Sequence, residues 1–106
     1  MIKINGEIWR VRLVSSYHPM LVMPNGHFAL GCCDDITKTI YISNTLSKEK
    51  MKKVLCHEIV HASMYSHDVN ITDDIEEIVA DLFSTFGQEI VTLSNLTYDN
   101  ILGWYI

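Results

Sequence analysis

The sequence predicts an α+β fold: a small antiparallel or mixed β-sheet, followed by a helix that carries His-Glu-x-x-His and by a second, acidic helix packed against it. Three observations carry this. Apolar and polar residues alternate in the first third of the chain, the apolar period changes to a helical one after Ser47, and Asp and Glu crowd the segment after Ile71. IKI and EIWRVRLV flank Asn5-Gly6, a strong signal for a two-residue hairpin. Ser15 to Gly26 contains Pro19, Pro24 and Asn25-Gly26 and reads as an exposed loop. FALGCC and TIYIS are further apolar runs, and Asp34, Asp35 and Lys38 between them predict a second hairpin, with TIYIS as an edge-strand candidate.

Ser47 is the expected N-cap of the first helix, with Glu49 in its first turn, where a carboxylate suits the helix dipole. Met51, Val54, Leu55, Ile59, Ala62 and Tyr65 recur at helical spacing to about Ser66. HDVNITDD is a connector. A second helix is expected from Thr72 or Asp73, with Ile75, Ile78, Val79, Leu82, Phe83 and Phe86 along it. Gly87 is placed to end or bend it, with a continuation to about Leu93. The tail, LTYDNILGWYI, is apolar enough to pack back on the domain.

A chain of 106 residues with 48% hydrophobic content fits one globular domain, residues 1–106. Thirteen acidic against eight basic residues give a formal charge of -5, and the Lys48, Lys50, Lys52, Lys53 group is the sole basic cluster. Phosphate binding needs a concentrated basic face, so no nucleic-acid partner is expected. No segment has the length of apolar sequence that a membrane span needs, and the charged, alternating N-terminus is unlike a signal peptide. Cys32, Cys33 and Cys56 form a poor disulfide framework, which favours the cytoplasm and a packing role for all three.

HEIVH spans residues 57 to 61 inside the first predicted helix. Histidines four apart stack on one helix face, so His57 and His61 can converge on one zinc ion. Glu58 is rotated by about 100° from His57, beside the open side of the metal, where a carboxylate can act as general base toward a zinc-bound water. A zinc site needs a third protein ligand, and four residues compete for that place. Glu76 borders the stripe formed by Val79, Leu82, Phe83 and Phe86, which is expected to face the HEIVH helix; Glu76 is therefore the preferred ligand. Its alternative use is a capping box with Asp73. Glu77 points further round, toward solvent. His67 completes an HExxHxxxxxH spacing like that of the metzincins, but Met64 stands where that family has a turning glycine. Asp68 is the remaining candidate.

HEIVHA, the following EEIVADLFSTF, and the approach segment GCCDDITKTIYISNTLSKEKMKKVL resemble the ImmA/IrrE family of zinc metallopeptidases over roughly Gly31 to Phe86. The resemblance implies a zincin-like domain, His57 and His61 as histidine ligands, Glu58 as general base, and a glutamate of the second helix as third ligand. That glutamate is Glu76 if Val79 and Leu82 stand where the family has Ala and Phe, and Glu77 if Ala80 is the family alanine. Such proteins are common in phages and other mobile elements, and some act on a transcriptional repressor.

The leading functional expectation is therefore a zinc-dependent metallopeptidase acting on a peptide or protein. Its substrate would lie extended against the strand edge near Ile40 to Ser43, with Tyr41, Tyr65 or His67 at the oxyanion. Two other functions compete. One is a metal-bearing interaction protein with little turnover. The other is a zinc endoribonuclease, because His57, His61 and His67 also resemble the three-histidine motif of the bacterial ribosomal-RNA endoribonucleases, which have glycine where Glu58 stands.

Overall fold

The computed structural model describes residues 1–103. Strands β1 (Ile2–Ile4), β2 (Glu7–Val14), β3 (Gly31–Asp34) and β4 (Thr39–Ser43) form one mixed sheet in the order β1-β2-β4-β3. Both expected hairpins are present. Asn5 (φ 47°) and Gly6 (φ 83°) are both left-handed, the conformation of the two-residue turns that match strand twist. In the β3–β4 turn, Asp34 accepts from the Ile36 amide and the Thr37 hydroxyl, while the Lys38 ammonium pairs with Asp35 and Glu7 and lies over the Trp9 ring. Between the hairpins, β2 and β4 run parallel, from Arg10 beside Thr39 to Val14 beside Ser43.

That parallel pairing corrects the reading of TIYIS as an edge. β4 has β2 on one side and β3 on the other, and all five of its residues are buried. Its near-continuous apolar character is that of a strand covered on both faces. The edge strands are β1 and β3. The sheet's second face is covered by the segment expected to be an exposed loop. A 3-10 turn at Pro19–Leu21 drives Leu21 (1% exposed) onto Val14 and Tyr41.

Helix α1 (Lys48–Ser66) lies across the first face. Ser47 caps it, accepting from the Lys50 amide at 3.3 Å. Trp9, Ile40, Ile42 and Ala62 form the core there, with Val54, Leu55 and Ile59 packed around them. The far end of α1 is pinned to the first hairpin by two bonds to Ser66: the Trp9 indole N–H donates to its hydroxyl at 2.8 Å, and the Asn5 amide donates to its carbonyl at 2.9 Å. A Schellman arrangement closes the helix. The Val69 amide donates to the Met64 carbonyl and the Asp68 amide to the Tyr65 carbonyl, with Asp68 left-handed at φ 52°.

Helix α2 (Asp73–Leu82) is capped by Thr72 rather than Asp73. It passes through a π-helical turn at Phe83–Gly87 into helix α3 (Gln88–Gly103). Two expectations fail here. Of the Val79, Leu82, Phe83 and Phe86 stripe, Val79 and Phe83 wall a groove over α1, whereas Leu82 and Phe86 turn away with about half their surface exposed; Ala80 and Gly87 are the buried positions. The described part of the tail, to Gly103, does not pack back either. α3 has no buried residue and contacts chiefly the π-helical turn; the last residues of the tail, 104–106, lie outside the described residues.

Candidate metal centre

Helical spacing places His57 and His61 one turn apart on the face of α1 that looks toward α2, and their Nε2 atoms stand 3.2 Å apart. Facing them is Glu77, with Oε1 2.8 Å from His61 Nε2 and Oε2 3.4 Å from His57 Nε2. Two nitrogens bound at about 2.0–2.1 Å to one tetrahedral ion stand roughly 3.3 Å apart, so the donor spacing fits a small divalent metal. Among the described residues His57, His61 and Glu77 form a group able to hold such an ion, their donor atoms all within 4.8 Å of one another.

Glu76, the third ligand preferred from the sequence, is not in that group; Glu77 stands in its place. The Glu76 carboxylate stands behind the site, 3.3 Å from His61 Nδ1. Asp81 holds the equivalent place for the other ring, 3.1 Å from His57 Nδ1. Each imidazole thus has its Nε2 on the shared glutamate and its Nδ1 on a separate carboxylate, the pairing that fixes the tautomer and orientation of ligating histidines. Asp81 had no signal of its own. Its position four residues after Glu77, one turn along the same face, was the available clue. His67 is the exposed C-cap of α1 and Asp68 follows it in the turn, so neither joins the group and the three-histidine arrangement is not formed.

Glu58 is 6% exposed, and its Oε2 has no hydrogen-bond partner. Burial pushes its carboxyl from an ordinary 4.5 up to about 7; His61 pulls it down, and Glu77 adds to the rise. Gly31 on β3 makes this close packing possible. A Cβ there would stand 2.8 Å from Val54 Cγ1 and 3.0 Å from Glu58 Cγ, so a side chain would push the edge strand off α1.

Two clefts meet at Glu58 and Glu77. One, of about 480 Å³, runs past Ala29, Leu30 and Gly31 to His57. The other, of about 320 Å³, continues past Cys33 to His61 and Tyr65. Tyr65 is the one oxyanion candidate that lines them. Tyr41 packs with Leu21 on the opposite face of the sheet, and His67 lies beyond the end of α1. Burial and then Glu76 raise the Tyr65 phenol, which keeps it a donor. Burial raises the Cys33 thiol as well, with Glu58 next in effect, so it stays protonated. None of the three cysteines is in a disulfide.

No helix among the described residues is long and apolar enough to cross a membrane. Comparison of the chain with protein-family models, with curated proteins and with solved structures returned no match.

Proposed function

We propose that the protein is a zinc-dependent metallopeptidase of zincin type, with His57, His61 and Glu77 as metal ligands and Glu58 as general base. The observation that carries this is the buried, unpartnered Glu58 Oε2 beside a two-histidine, one-glutamate donor set, where two clefts meet along an edge strand. Zinc, when bound, supplies Lewis acidity for a water molecule and a peptide carbonyl. Two histidines and a carboxylate leave a coordination position open, as catalytic rather than structural zinc sites do. With Glu77 and Ala80 both turned toward α1, EEIVADLFSTF takes the second of the two registers of the ImmA/IrrE resemblance.

The chain's own groups divide the work. Asp81 and Glu76 hold the two imidazoles through their Nδ1 atoms. Glu58 takes a proton from the attacking water and passes it to the leaving amine. A carboxylate buried beside the donor set is placed for both transfers. The Tyr65 hydroxyl donates to the developing oxyanion. An extended peptide adds to the free edge of β3, replacing the edge once expected at β4, and lies through the two clefts.

The test is a peptide-library digest with zinc-loaded protein. Wild type is expected to cleave. Glu58→Gln should keep stoichiometric zinc and lose at least about a hundredfold in rate, while Glu77→Ala should lose zinc and Glu76→Ala should keep most of it. Cleavage by Glu58→Gln at the wild-type rate, or zinc retained by Glu77→Ala and lost by Glu76→Ala, overturns the assignment. Stoichiometric zinc with no cleavage by wild type would favour a metal-bearing interaction protein.

A further inference from the structure

The surface left over by the metal centre is apolar and continuous. Ile78, Leu82, Phe86, Ile90, Leu93 and Leu96 are each between 49% and 60% exposed along α2, the π-helical turn and α3. With their apolar neighbours they display on the order of 1,000 Å² of apolar residue surface, well beyond the largest patch of a typical monomer and close to one partner's share of a stable dimer. Next to this stripe lies an apolar groove of about 590 Å³, floored by Leu55, Ile59 and Met64 of α1 and walled by Val79 and Phe83.

We propose that this face binds a second copy of the chain, each copy's α3 lying against the other's α2–α3 stripe and reaching the other's groove. Three features select a second copy over a foreign partner. The chain carries its own ligand for the groove: α3 is an apolar helix with no buried residue. Its 16 residues make a rod of about 24 Å, against about 28 Å for the 19-residue α1 that floors the groove. The charges are also complementary within the one sequence. No Lys or Arg follows Lys53, so α3 offers only Glu89 and Asp99, whereas Lys52 lines one end of the groove and Lys48 stands one turn before it.

A two-fold axis gives the contact its geometry. The short connector makes α2 run back along α1 toward the lysine end, where Gln88 and Lys52 both line the groove, and α3 continues past that point. A two-fold perpendicular to α3 sets the two α3 helices antiparallel, so the C-terminal half of each, with Asp99, approaches the other's Lys48–Lys52 end. The apolar stripe then closes on itself, and each acidic helix meets a basic helix start.

Sedimentation equilibrium of the full chain from about 1 to about 100 μM, where interfaces of this size dissociate or hold, tests the proposal. Wild type is expected to be dimeric through most of that range. The double variant Ile90→Asp, Leu93→Asp should be monomeric throughout, with unchanged helical circular dichroism, because neither residue is buried in the single chain. Lys52→Glu and Asp99→Lys should each raise the dimer Kd about three- to tenfold, and the two together should return it toward wild type. A monomeric wild type, a dimeric Ile90→Asp, Leu93→Asp variant, or charge reversals that fail to compensate would each overturn it.

Discussion

Trp9 and Phe86 are both large aromatic residues in amphipathic elements, yet Trp9 is fully buried and Phe86 keeps 49% of its surface. The first belongs to the half of the molecule made by the sheet and α1, the second to the half made by α2 and α3. In the sheet half, Trp9, Ile40 and Ile42 face α1, and Val14 and Tyr41 face Leu21. In the α2–α3 half most apolar residues face outward, because the other side of α2 is taken. Glu76, Glu77 and Asp81 all reach the histidines of α1, and Ala80 provides the close contact between them. With the carboxylates turned to α1, only Val79 and Phe83 of the apolar stripe remain beside it. The carboxylate–histidine cluster sets which side of α2 is inside, and most of the apolar side is left for another surface. A hydrophobic period tells which residues share a face, not what that face meets.

The largest expected effect tests that contrast directly. Trp9→Ala should cost about 3–5 kcal/mol, since it removes the largest buried side chain and also leaves the Ser66 hydroxyl without its indole donor. Phe86→Ala should cost under about 1 kcal/mol in the single chain, because half of the ring is already in water. Urea denaturation at concentrations low enough to hold the protein monomeric measures both. Equal losses would mean that the α2–α3 half is packed as tightly as the sheet, and the comparison would fail.

The same division marks how much was legible in the sequence. Elements governed by local chemistry were readable: the Asn5-Gly6 turn, the Ser47 cap, the end of α1 at Ser66, the start of α2 beside Thr72, and His57, Glu58 and His61 on one helix. What failed depends on contacts distant in sequence. β4 became a central strand because β2 pairs with it in parallel, and no local pattern reports parallel pairing. Leu21 became a core residue because its loop closes over the sheet. Glu76 was preferred over Glu77 on the premise that the apolar stripe of α2 points inward. That premise treats α2 as an ordinary surface helix, whereas its inner face is polar.

A second prediction concerns the polar heart of the boundary between the halves. Without metal, the Glu58 carboxyl is raised to about 7 in the folded chain from an ordinary 4.5. The folded state therefore binds the proton more tightly than the unfolded state. The associated stability is fully present below about pH 4.5 and is lost as pH rises through about 7. Glu58→Gln removes this dependence. In metal-free protein the variant should match wild type near pH 4.5 and exceed it at pH 7.5 by something of the order of 3 kcal/mol. Comparing the two proteins cancels the titrating groups that do not interact with Glu58. A difference that does not vary with pH would show that burial is not what perturbs Glu58.

The smallest effect is expected at the joint between the halves. α1 ends in a Schellman turn whose left-handed position holds Asp68 at φ 52°. That conformation strains residues with a Cβ, and it is least costly for glycine. The carboxylate also stands at the negative end of the α1 dipole, where a cation would be favoured. Two unfavourable terms thus meet in one residue, and neither the sheet core nor the metal ligands include it. Asp68→Asn removes the charge and keeps a side chain tolerant of left-handed backbone; it should stabilise by a few tenths of a kcal/mol. Asp68→Gly also relieves the strain, partly offset by the freer unfolded chain, and should reach about 1 kcal/mol or slightly less. Asp68→Ala should fall below Asp68→Gly, because alanine removes the charge but meets the left-handed position with a Cβ. Thermal melts of the four proteins give the order. If alanine equals or exceeds glycine, backbone strain is not stored at this turn, and the joint between the two halves is looser than its hydrogen bonds indicate.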